Sequence, residues 1–298
     1  MIKFQPCVAT ALLVLACSFA NGQAQTIPID PAATGTGIQT VHGPHLAFYN
    51  PAVKHVDKLL LFIVGTNGNA SDWKRFCEYA ADKGYNVISI DYKNTVITTT
   101  CVESKDSTCF DGFRQEIMFG TPASELVQVD SVNSIYHRTL ALLGYLKKNN
   151  PKQNWGQFLK GTGINWTKVV AAGHSQGAGH VVLLGKLYSL HRVVILAGPQ
   201  DWLSVFHSPA PWLKQKTTTP VGSYFACLHV KDPYQFNRQL ANCNAIMMNQ
   251  PTDTLMVSPG IPISRKSQIF VANNETADPH GAFQNEAFKS VWDFLLRP

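Results

Sequence analysis

The chain has 298 residues and a formal net charge of +6, from 25 Lys and Arg against 19 Asp and Glu. Hydrophobic residues make up 45% and charged residues 15%, with 21 Gly and 17 Pro, which excludes a disordered, collagen-like or coiled-coil chain. The sequence contains no run of five or six Lys or Arg, so it predicts no nucleic-acid-binding surface.

The first 24 residues have the pattern of a secretory signal peptide. Lys3 precedes an apolar run at 8–16, and small and polar residues follow as far as Ala24. The run is much shorter than the roughly 20 residues that a membrane-spanning helix requires, so we predict no stable membrane span. We expect residues 1–24 to be a signal peptide and the protein to be secreted or periplasmic. The segment ending at Cys17 also resembles a bacterial lipobox, which leaves a lipid anchor on that cysteine as an alternative.

Short apolar runs after the signal peptide predict the strands of a sheet. They lie at 59–64, 85–90, 169–172, 193–197, 225–230 and 269–272. The first run (LLLFIV) is continuous, as in a strand that is buried on both faces.

Apolar residues at helical spacing predict helices between these strands. The helices lie from a cap at Asn69 or Ser71 to Gly84, from about 129 to Lys148, from about 176 to 189, and around 288–295. Residues 94–122 are rich in Thr, Ser and Gly and predict a long loop. Alternating strands and helices indicate an α/β fold with a mostly parallel sheet and helices on both faces. We predict a single domain over residues 25–298, since no linker or repeat interrupts it.

Five of the seven cysteines follow the predicted signal peptide: Cys77, Cys101, Cys109, Cys227 and Cys243. Disulfides persist in exported proteins. Cys101 and Cys109 enclose one polar segment, and Cys227 and Cys243 another, so we predict these two bridges, with the connectivity left open by sequence alone. Cys77 lies on an apolar helical face and is expected to be a buried free thiol.

The sequence predicts no metal site and no cofactor. The spacings Cys-x-x-Cys and His-x-x-x-His do not occur, and neither do the P-loop and dinucleotide-binding patterns. His42 and His45 lie in a loop with Gly and Pro, and we expect them at the surface rather than as ligands.

The strongest chemical signal is at 173–177, which read Gly-His-Ser-Gln-Gly. This G-x-S-x-G pattern stands directly after one predicted strand and directly before a helix, which is the context that a nucleophile elbow requires. The glycines permit a very tight turn that projects Ser175 above the sheet. The N–H of Gln176 points into the same space at the helix N-terminus, where the helix dipole favours a developing oxyanion. The alternative is a tight turn with a solvent-facing serine.

From about residue 45 to residue 298, the elbow and the order of elements resemble the α/β-hydrolase superfamily. The resemblance implies an α/β-hydrolase fold with Ser175 as nucleophile, followed along the chain by an acid and then a histidine. His280 is the only histidine after the last predicted strand and is therefore the predicted base. Asp232 follows the next-to-last predicted strand, at the family's usual position for the acid. Asp201, after the preceding strand, is the alternative acid.

The segment 64–73 resembles the oxyanion loop of the same superfamily. Where the family commonly has His-Gly, this chain has Val64 and Gly65. The functional group there is a backbone N–H, so the changed side chain need not matter, and we predict Thr66 and Gln176 as the two oxyanion donors. The alternative is a plain connection between a strand and a helix.

The triad implies hydrolysis of carboxylic esters through an acyl-enzyme that water resolves, without a metal or an organic cofactor. The expected substrates are small-molecule or polymeric esters. Peptidases and thioesterases use the same triad on this fold, and Gln176 gives the elbow a resemblance to cutinase-like polyester hydrolases, so these activities are alternatives. A non-catalytic binding protein of this fold is a further alternative, although such proteins commonly lack a member of the triad.

Aromatic residues after the strands that carry the acid predict a substrate pocket: Trp202, Phe206, Trp212, Tyr234 and Phe236. Loops at those strand ends line the ligand site in open α/β sheets, so we expect an apolar acyl or alcohol pocket. The alternative is that some of these residues pack beneath the loops. The connection between the strands at 193–197 and 225–230 is too short for a large lid domain. An esterase is therefore favoured over an interface-activated lipase.

Overall fold

The computed structural model describes residues 22–248 and 254–297. Most of the predicted signal peptide, including Cys17, lies outside these residues. The centre of the described part is a nine-stranded sheet. Its strands, numbered in chain order, are β1 (Gln25–Ile29), β2 (His45–Tyr49), β3 (Leu59–Ile63), β4 (Asn86–Ile90), β5 (Val169–His174), β6 (Arg192–Leu196), β7 (Tyr224–His229), β8 (Thr254–Val257) and β9 (Ile269–Ala272).

The strands lie side by side in the order β1-β2-β4-β3-β5-β6-β7-β9-β8. β2 pairs antiparallel with both β1 and β4, and the other pairs are parallel. The predicted mostly parallel sheet is therefore confirmed, but its antiparallel edge is not indicated by the sequence pattern. β1 contains Pro28, which an edge strand tolerates because one side of it forms no ladder.

Each of the six predicted strands forms, and each bound lies within two residues of its predicted position. Every residue of β3 is buried, as its continuous apolar run predicts. β1, β2 and β8 are the strands that the sequence pattern does not predict.

Six α-helices occur in the described ranges: α1 (Lys74–Asp82), α2 (Cys109–Phe119), α3 (Ile135–Asn149), α4 (Gln176–Leu187), α5 (Phe236–Ile246) and α6 (Lys289–Leu295). Shorter 3₁₀ turns connect many of the elements, among them Thr98–Cys101 and Ser204–Phe206. Within residues 22–248 and 254–297, no helix has both the length and the apolar character needed to cross a membrane.

Helices cover both faces of the sheet, as two neighbouring residues of β7 show. Successive side chains of a strand point to opposite faces. Tyr224 points toward α4, since a Cβ placed on Gly185 would lie 2.5 Å from the Tyr224 hydroxyl. Phe225 instead contacts Phe294 of α6, with ring centroids 5.4 Å apart. α4 and α6 therefore lie on opposite faces.

α2 lies within the segment that was predicted as a long loop, so that prediction is wrong in part. Phe110, Phe113 and Ile117 of α2 are buried, at the spacing of one helical face. This apolar signal is short, and Thr-, Ser- and Gly-rich residues surround it. The disulfide between Cys101 and Cys109 joins the start of α2 to the preceding turn.

α1 begins at Lys74, later than the predicted cap at Asn69 or Ser71. Asn69 Oδ1 accepts a hydrogen bond from Ser71 N at 3.0 Å, and Asn69 N donates to Asp72 Oδ2 at 3.2 Å. These local bonds stabilise a turn in place of a first helical turn.

The connection between β6 and β7 contains only short elements. Two two-residue strands, Trp202–Leu203 and Ser208–Pro209, pair with each other, and short 3₁₀ turns fill the remainder. The loops at this end of the sheet are therefore covered by a small structure rather than by an inserted domain.

Candidate active site

A cavity of about 300 Å³ lies at the carboxyl ends of the parallel strands. Five of the predicted site residues line it: Thr66, Ser175, Gln176, Tyr234 and His280. They follow β3, β5, β7 and β9, so the topology brings together residues that are far apart in the sequence. Ligands bind at this edge in open α/β sheets.

Ser175 occupies the turn between β5 and α4 in a strained conformation, with φ 55° and ψ −118°. The flanking glycines are sterically required. A Cβ on Gly173 would lie 2.3 Å from the carbonyl oxygen of Gly177, and a Cβ on Gly177 would lie 2.0 Å from that of Ile63. The spacing of the motif therefore follows from the close approach of β3, β5 and α4.

Thr66 and Gln176, the two predicted oxyanion donors, are in direct contact. Thr66 Oγ1 donates a hydrogen bond to Gln176 Oε1 at 2.6 Å. Gln176 is the first residue of α4, so its N–H has no partner within the helix and lies at the positive end of the helix dipole. The arrangement places helix-terminal donors at the edge of the cavity.

The loop that carries Thr66 is held by side chains that follow β4. Asn94 Nδ2 donates to the carbonyl oxygens of Gly65 at 2.7 Å and Gly68 at 3.0 Å. Tyr92 donates from its hydroxyl to the carbonyl oxygen of Val64 at 2.7 Å. The sequence analysis did not identify either residue. Their position directly after a predicted strand is a signal for them, because a polar side chain there can reach the end of the neighbouring strand.

His42 and His45 are not surface residues as predicted. His45 is fully buried, and its Nδ1 accepts a hydrogen bond from Asp91 N at 2.8 Å. Burial, followed by the nearby charge of Arg138, lowers the pKa of His45 to about 3. His42 is half-buried, and its Nε2 lies 2.5 Å from Asn94 Oδ1. His42 therefore supports the asparagine that holds the Thr66 loop.

Asp232 and His280 form a direct pair. His280 Nδ1 lies 2.8 Å from Asp232 Oδ2, and Tyr234 N donates to Asp232 Oδ1 at 2.8 Å. Burial acts to raise the pKa of Asp232, but the hydrogen bonds from His280, Gln239 and the Tyr234 amide, together with the charge of His280, outweigh burial and lower the pKa. The ionised carboxylate holds the ring proton of His280 on Nδ1.

The other ring nitrogen of His280 has no partner. Nε2 is closed off from solvent and makes no hydrogen bond with any residue of the described ranges. Since Asp232 holds the proton on Nδ1, Nε2 carries an unshared lone pair, and His280 and Ser175 line the same cavity. The structure therefore shows no hydrogen bond between Ser175 and His280 Nε2.

Asp201, the alternative acid, is paired with an arginine instead. Its Oδ2 accepts from Arg114 Nε at 2.7 Å and from Trp212 Nε1 at 3.0 Å, and its Oδ1 accepts from Arg114 Nη2. Both members of this ion pair are fully buried. Of the two predicted acids, Asp232 is thus the one that the fold brings to His280.

Arg114 also contacts the elbow helix. Its Nη1 donates to the carbonyl oxygen of Gln176 at 2.9 Å. A Cβ on Gly179 would lie 1.9 Å from Arg114 Cζ, so only glycine at that position leaves room for the guanidinium group. The buried pair of Arg114 and Asp201 therefore fixes the start of α4 against α2 and the loop after β6.

His174, the residue before Ser175 in the motif, contacts the loop of His280. His174 Nε2 lies 3.1 Å from the carbonyl oxygen of His280. Its ring centroid is 5.1 Å from that of Trp73 and 4.7 Å from that of His280. Burial and then the charge of His280 lower the pKa of His174 to about 4. His174 is therefore neutral, with its proton on Nε2.

The predicted aromatic pocket is only partly present. Tyr234 lines the cavity, with its ring centroid 4.6 Å from that of His280. Trp212 is buried beneath the loops, Trp202 packs against Arg238, and Phe206 is 47% exposed; these three residues do not line the cavity. The walls are instead mixed, with Thr98, Thr99, Gln200 and Gln284 as polar contributors beside Trp73 and Ile97.

One of the two predicted disulfides forms. Cys101 and Cys109 are bridged, whereas Cys227 and Cys243 are buried free thiols, so the second predicted bridge is wrong. Burial raises the pKa of both thiols, and Cys243 Sγ donates to the carbonyl oxygen of Gly198 at 3.5 Å. The segment between them is not a polar loop, since Cys227 lies in β7 and Cys243 in α5. Cys77 is buried and free, as predicted.

No protein-family model matches this chain, and no curated protein matches it. In residues 22–248 and 254–297, no group of three or more His, Cys, Asp or Glu side chains is placed to hold a metal ion.

Proposed function

We propose that this protein is a serine hydrolase of the α/β-hydrolase fold that cleaves carboxylic esters. The observation that carries the proposal is the pair of His280 Nδ1 and Asp232 Oδ2 at 2.8 Å, at the cavity that also contains Ser175 on its strained turn. The order of nucleophile, acid and histidine along the chain and the strand-turn-helix context of the elbow support the fold assignment.

In the proposed mechanism, His280 Nε2 accepts the proton of Ser175 as Oγ attacks the ester carbonyl carbon. The carbonyl oxygen becomes an oxyanion, which the N–H groups of Thr66 and Gln176 receive. His280 then gives the proton to the departing alcohol, and an acyl group remains on Ser175. Water then attacks the acyl carbonyl carbon as His280 takes its proton, and His280 returns that proton to Ser175 Oγ as the carboxylic acid departs.

The surrounding charges suit this sequence of steps. Ionised Asp232 stabilises the imidazolium that His280 becomes when it takes the serine proton. His174, in ring contact with His280, is neutral because its pKa is lowered to about 4 by burial and by the charge of His280. A second positive charge is therefore not present beside the imidazolium.

We also propose that the protein is exported, with residues 1–24 as its signal peptide. The disulfide between Cys101 and Cys109 supports this, because structural disulfides are typical of proteins in oxidising compartments.

The test is labelling with a fluorophosphonate probe together with hydrolysis of p-nitrophenyl esters. Wild type should be labelled and active. Ser175→Ala should lose the label, and kcat should fall by about 10⁶-fold, the typical loss when a triad nucleophile is removed. Ser290→Ala, on α6 and outside the cavity, is the matched control and should behave as wild type. Labelling that survives in Ser175→Ala, or an unlabelled wild type, would falsify the proposal.

Matched p-nitroanilide and thioester substrates separate peptidase and thioesterase activity from ester hydrolysis.

A second prediction concerns His174 as a positioning residue. His174→Phe keeps a ring between Trp73 and His280 but removes the hydrogen bond to the His280 carbonyl. We expect kcat to fall about fivefold with KM little changed, since such a bond contributes about 1 kcal/mol. His174→Gln retains an N–H donor and should recover most of kcat with p-nitrophenyl acetate. Equal losses in the two variants would show that the hydrogen bond does not position His280.

A further inference from the structure

A second groove adjoins the catalytic cavity. It has a volume of about 400 Å³ and shares Thr99, Gln200 and Tyr234 with the cavity as common walls. Its remaining lining residues are Val102, Glu103, Pro233, Gln235 and Arg238. Because the two spaces share three lining residues, they lie side by side, and a substrate that extends past the cavity on this side would reach the second groove.

The walls of the second groove are fixed by contacts within the protein. Thr99 belongs to the short 3₁₀ turn that ends at Cys101 and is tied to α2 by the disulfide. Gln200 Nε2 donates to the carbonyl oxygen of Ala197 at 2.8 Å. The N–H of Tyr234 donates a hydrogen bond to Asp232 Oδ1 at 2.8 Å. The three walls that the groove shares with the cavity are therefore held by the protein, and ordering them on binding costs little.

Arg238 is the positively charged hydrogen-bond donor among the residues that line the second groove. It lies in the first turn of α5, with its guanidinium carbon 5.7 Å from the centroid of the Trp202 ring. No carboxylate among the described residues forms an ion pair with it. A guanidinium held over an aromatic ring keeps its in-plane N–H groups available to an acceptor.

The charges in the second groove select against an ionic ligand. The Glu103 carboxylate lines the same space and disfavours an anion, and the Arg238 guanidinium disfavours a cation. The other lining residues are neutral, and Val102 and Pro233 add apolar surface. An uncharged chain with a carbonyl oxygen matches this combination, because the oxygen accepts from Arg238 and the carbon chain packs on the apolar walls.

We propose that the second groove binds a second, uncharged carbonyl-bearing unit of the substrate, with Arg238 donating to its oxygen. The preferred substrates are then diesters and oligoesters rather than simple alkyl esters. The inference rests on the proposed ester hydrolysis at Ser175, and it assigns Trp202 the role of supporting Arg238 rather than of contacting the acyl group.

The test compares matched pairs of neutral esters by acid release at constant pH. Dimethyl succinate against methyl hexanoate places the second carbonyl on the acyl side. Ethylene glycol diacetate against pentyl acetate places it on the alcohol side. After correction for two ester bonds per diester, wild type should prefer the diester of at least one pair by about tenfold in kcat/KM, since hydrogen bonds to charged groups contribute about 1.5–3 kcal/mol.

Variants of Arg238 test whether the preference for diesters comes from the second groove. Arg238→Met should bring the diester-to-monoester ratio close to one, and Arg238→Lys should retain part of it. Arg75→Met, which removes an exposed arginine paired with Glu286 elsewhere on the surface, should keep the wild-type ratio. A ratio that is unchanged in Arg238→Met, or no preference in either pair, would overturn the inference.

Monomethyl succinate tests the charge argument. Wild type should hydrolyse this anion with a lower kcat/KM than dimethyl succinate. Glu103→Gln should reduce the difference in kcat/KM between the two substrates. A preference for the anion that depends on Arg238 would instead identify a carboxylate site and overturn the uncharged assignment. Failure of the proposed function is distinguishable, since wild type would then hydrolyse neither the monoesters nor the diesters and would not be labelled at Ser175.

Discussion

Asp232→Asn should lower kcat/KM for esters by about 10⁴-fold, the size of loss that follows when a triad carboxylate becomes an amide. Asp232 Oδ2 now lies 2.8 Å from His280 Nδ1 and holds the ring proton there. An amide NH₂ at that position would donate to Nδ1, and the ring proton would move to Nε2. Nε2 could then no longer accept the proton of Ser175. The measurement is steady-state hydrolysis of p-nitrophenyl acetate, with folding verified by circular dichroism.

Asp201→Asn is the informative comparison. In the described part of the chain, the side-chain hydrogen bonds of Asp201 come from Arg114 and Trp212 and none comes from His280. We expect this variant to unfold at a lower temperature but to keep most of its kcat/KM per folded molecule. If it remained folded and lost more kcat/KM than Asp232→Asn, then Asp201 would be the acid.

Asp232→Asn should also change how stability depends on pH. The hydrogen bonds from His280, Gln239 and the Tyr234 amide lower the folded-state pKa of Asp232 although burial opposes them. Ionised Asp232 therefore contributes stability that is fully present above the pKa of an unfolded carboxyl group and is lost as the pH falls through the lower folded pKa. The difference in Tm between wild type and variant should be constant at neutral pH and should change only in the acidic range.

The parts of the fold that the sequence predicts are those with local signals. β3 and β9 follow directly from continuous apolar runs. The start of α3 was predicted too early, at about residue 129. Val132 continues the apolar spacing, but the helix begins only at Ile135. Ser134 caps it, with Oγ accepting from His137 N at 3.2 Å. Serine is a preferred N-cap residue, so Ser134 favours a helix that starts at Ile135, whereas the apolar pattern favours an earlier start.

The same distinction applies to the candidate site. Ser175 and His280 could be predicted because a motif and the chain order locate them. His174 and Arg114 could not, since their partners lie 106 and 87 positions away in the sequence. A partial signal exists for Arg114, because it lies four residues after Phe110 on the buried face of α2. A buried arginine requires an acceptor, but the sequence does not say which carboxylate supplies it.

Arg114→Met should lower the free energy of unfolding by about 3–5 kcal/mol, because it leaves a carboxylate buried without its partner. The side chains of Arg114 and Asp201 are both fully buried, and Arg114 Nε donates to Asp201 Oδ2 at 2.7 Å. Urea unfolding followed by tryptophan fluorescence measures the loss, with the disulfide of the chain kept intact.

The double variant Arg114→Met/Asp201→Asn should recover more than half of that loss. It removes both charges of this pair, and the amide oxygen of Asn still accepts from Trp212 Nε1, which is now 3.0 Å from Asp201 Oδ2. Arg75→Met is the control, since the Arg75 side chain is 74% exposed and exposed ion pairs contribute little to stability. An Arg114→Met variant no less stable than Arg75→Met would mean that the buried pair does not hold α2 and α4 together.

Activity of the double variant separates stability from positioning. Even with most of the stability recovered, the bond from Arg114 Nη1 to the carbonyl oxygen of Gln176, at 2.9 Å in the wild type, is missing. Gln176 follows Ser175 directly at the start of α4. Loss of this hydrogen bond should therefore make the positions of both Ser175 Oγ and the Gln176 N–H less fixed. We expect kcat for p-nitrophenyl acetate to be about tenfold below wild type with KM little changed, consistent with the loss of one charged hydrogen bond. Wild-type kcat in the double variant would mean that the glycines and the strained turn suffice to hold Ser175, and that Arg114 acts on stability alone.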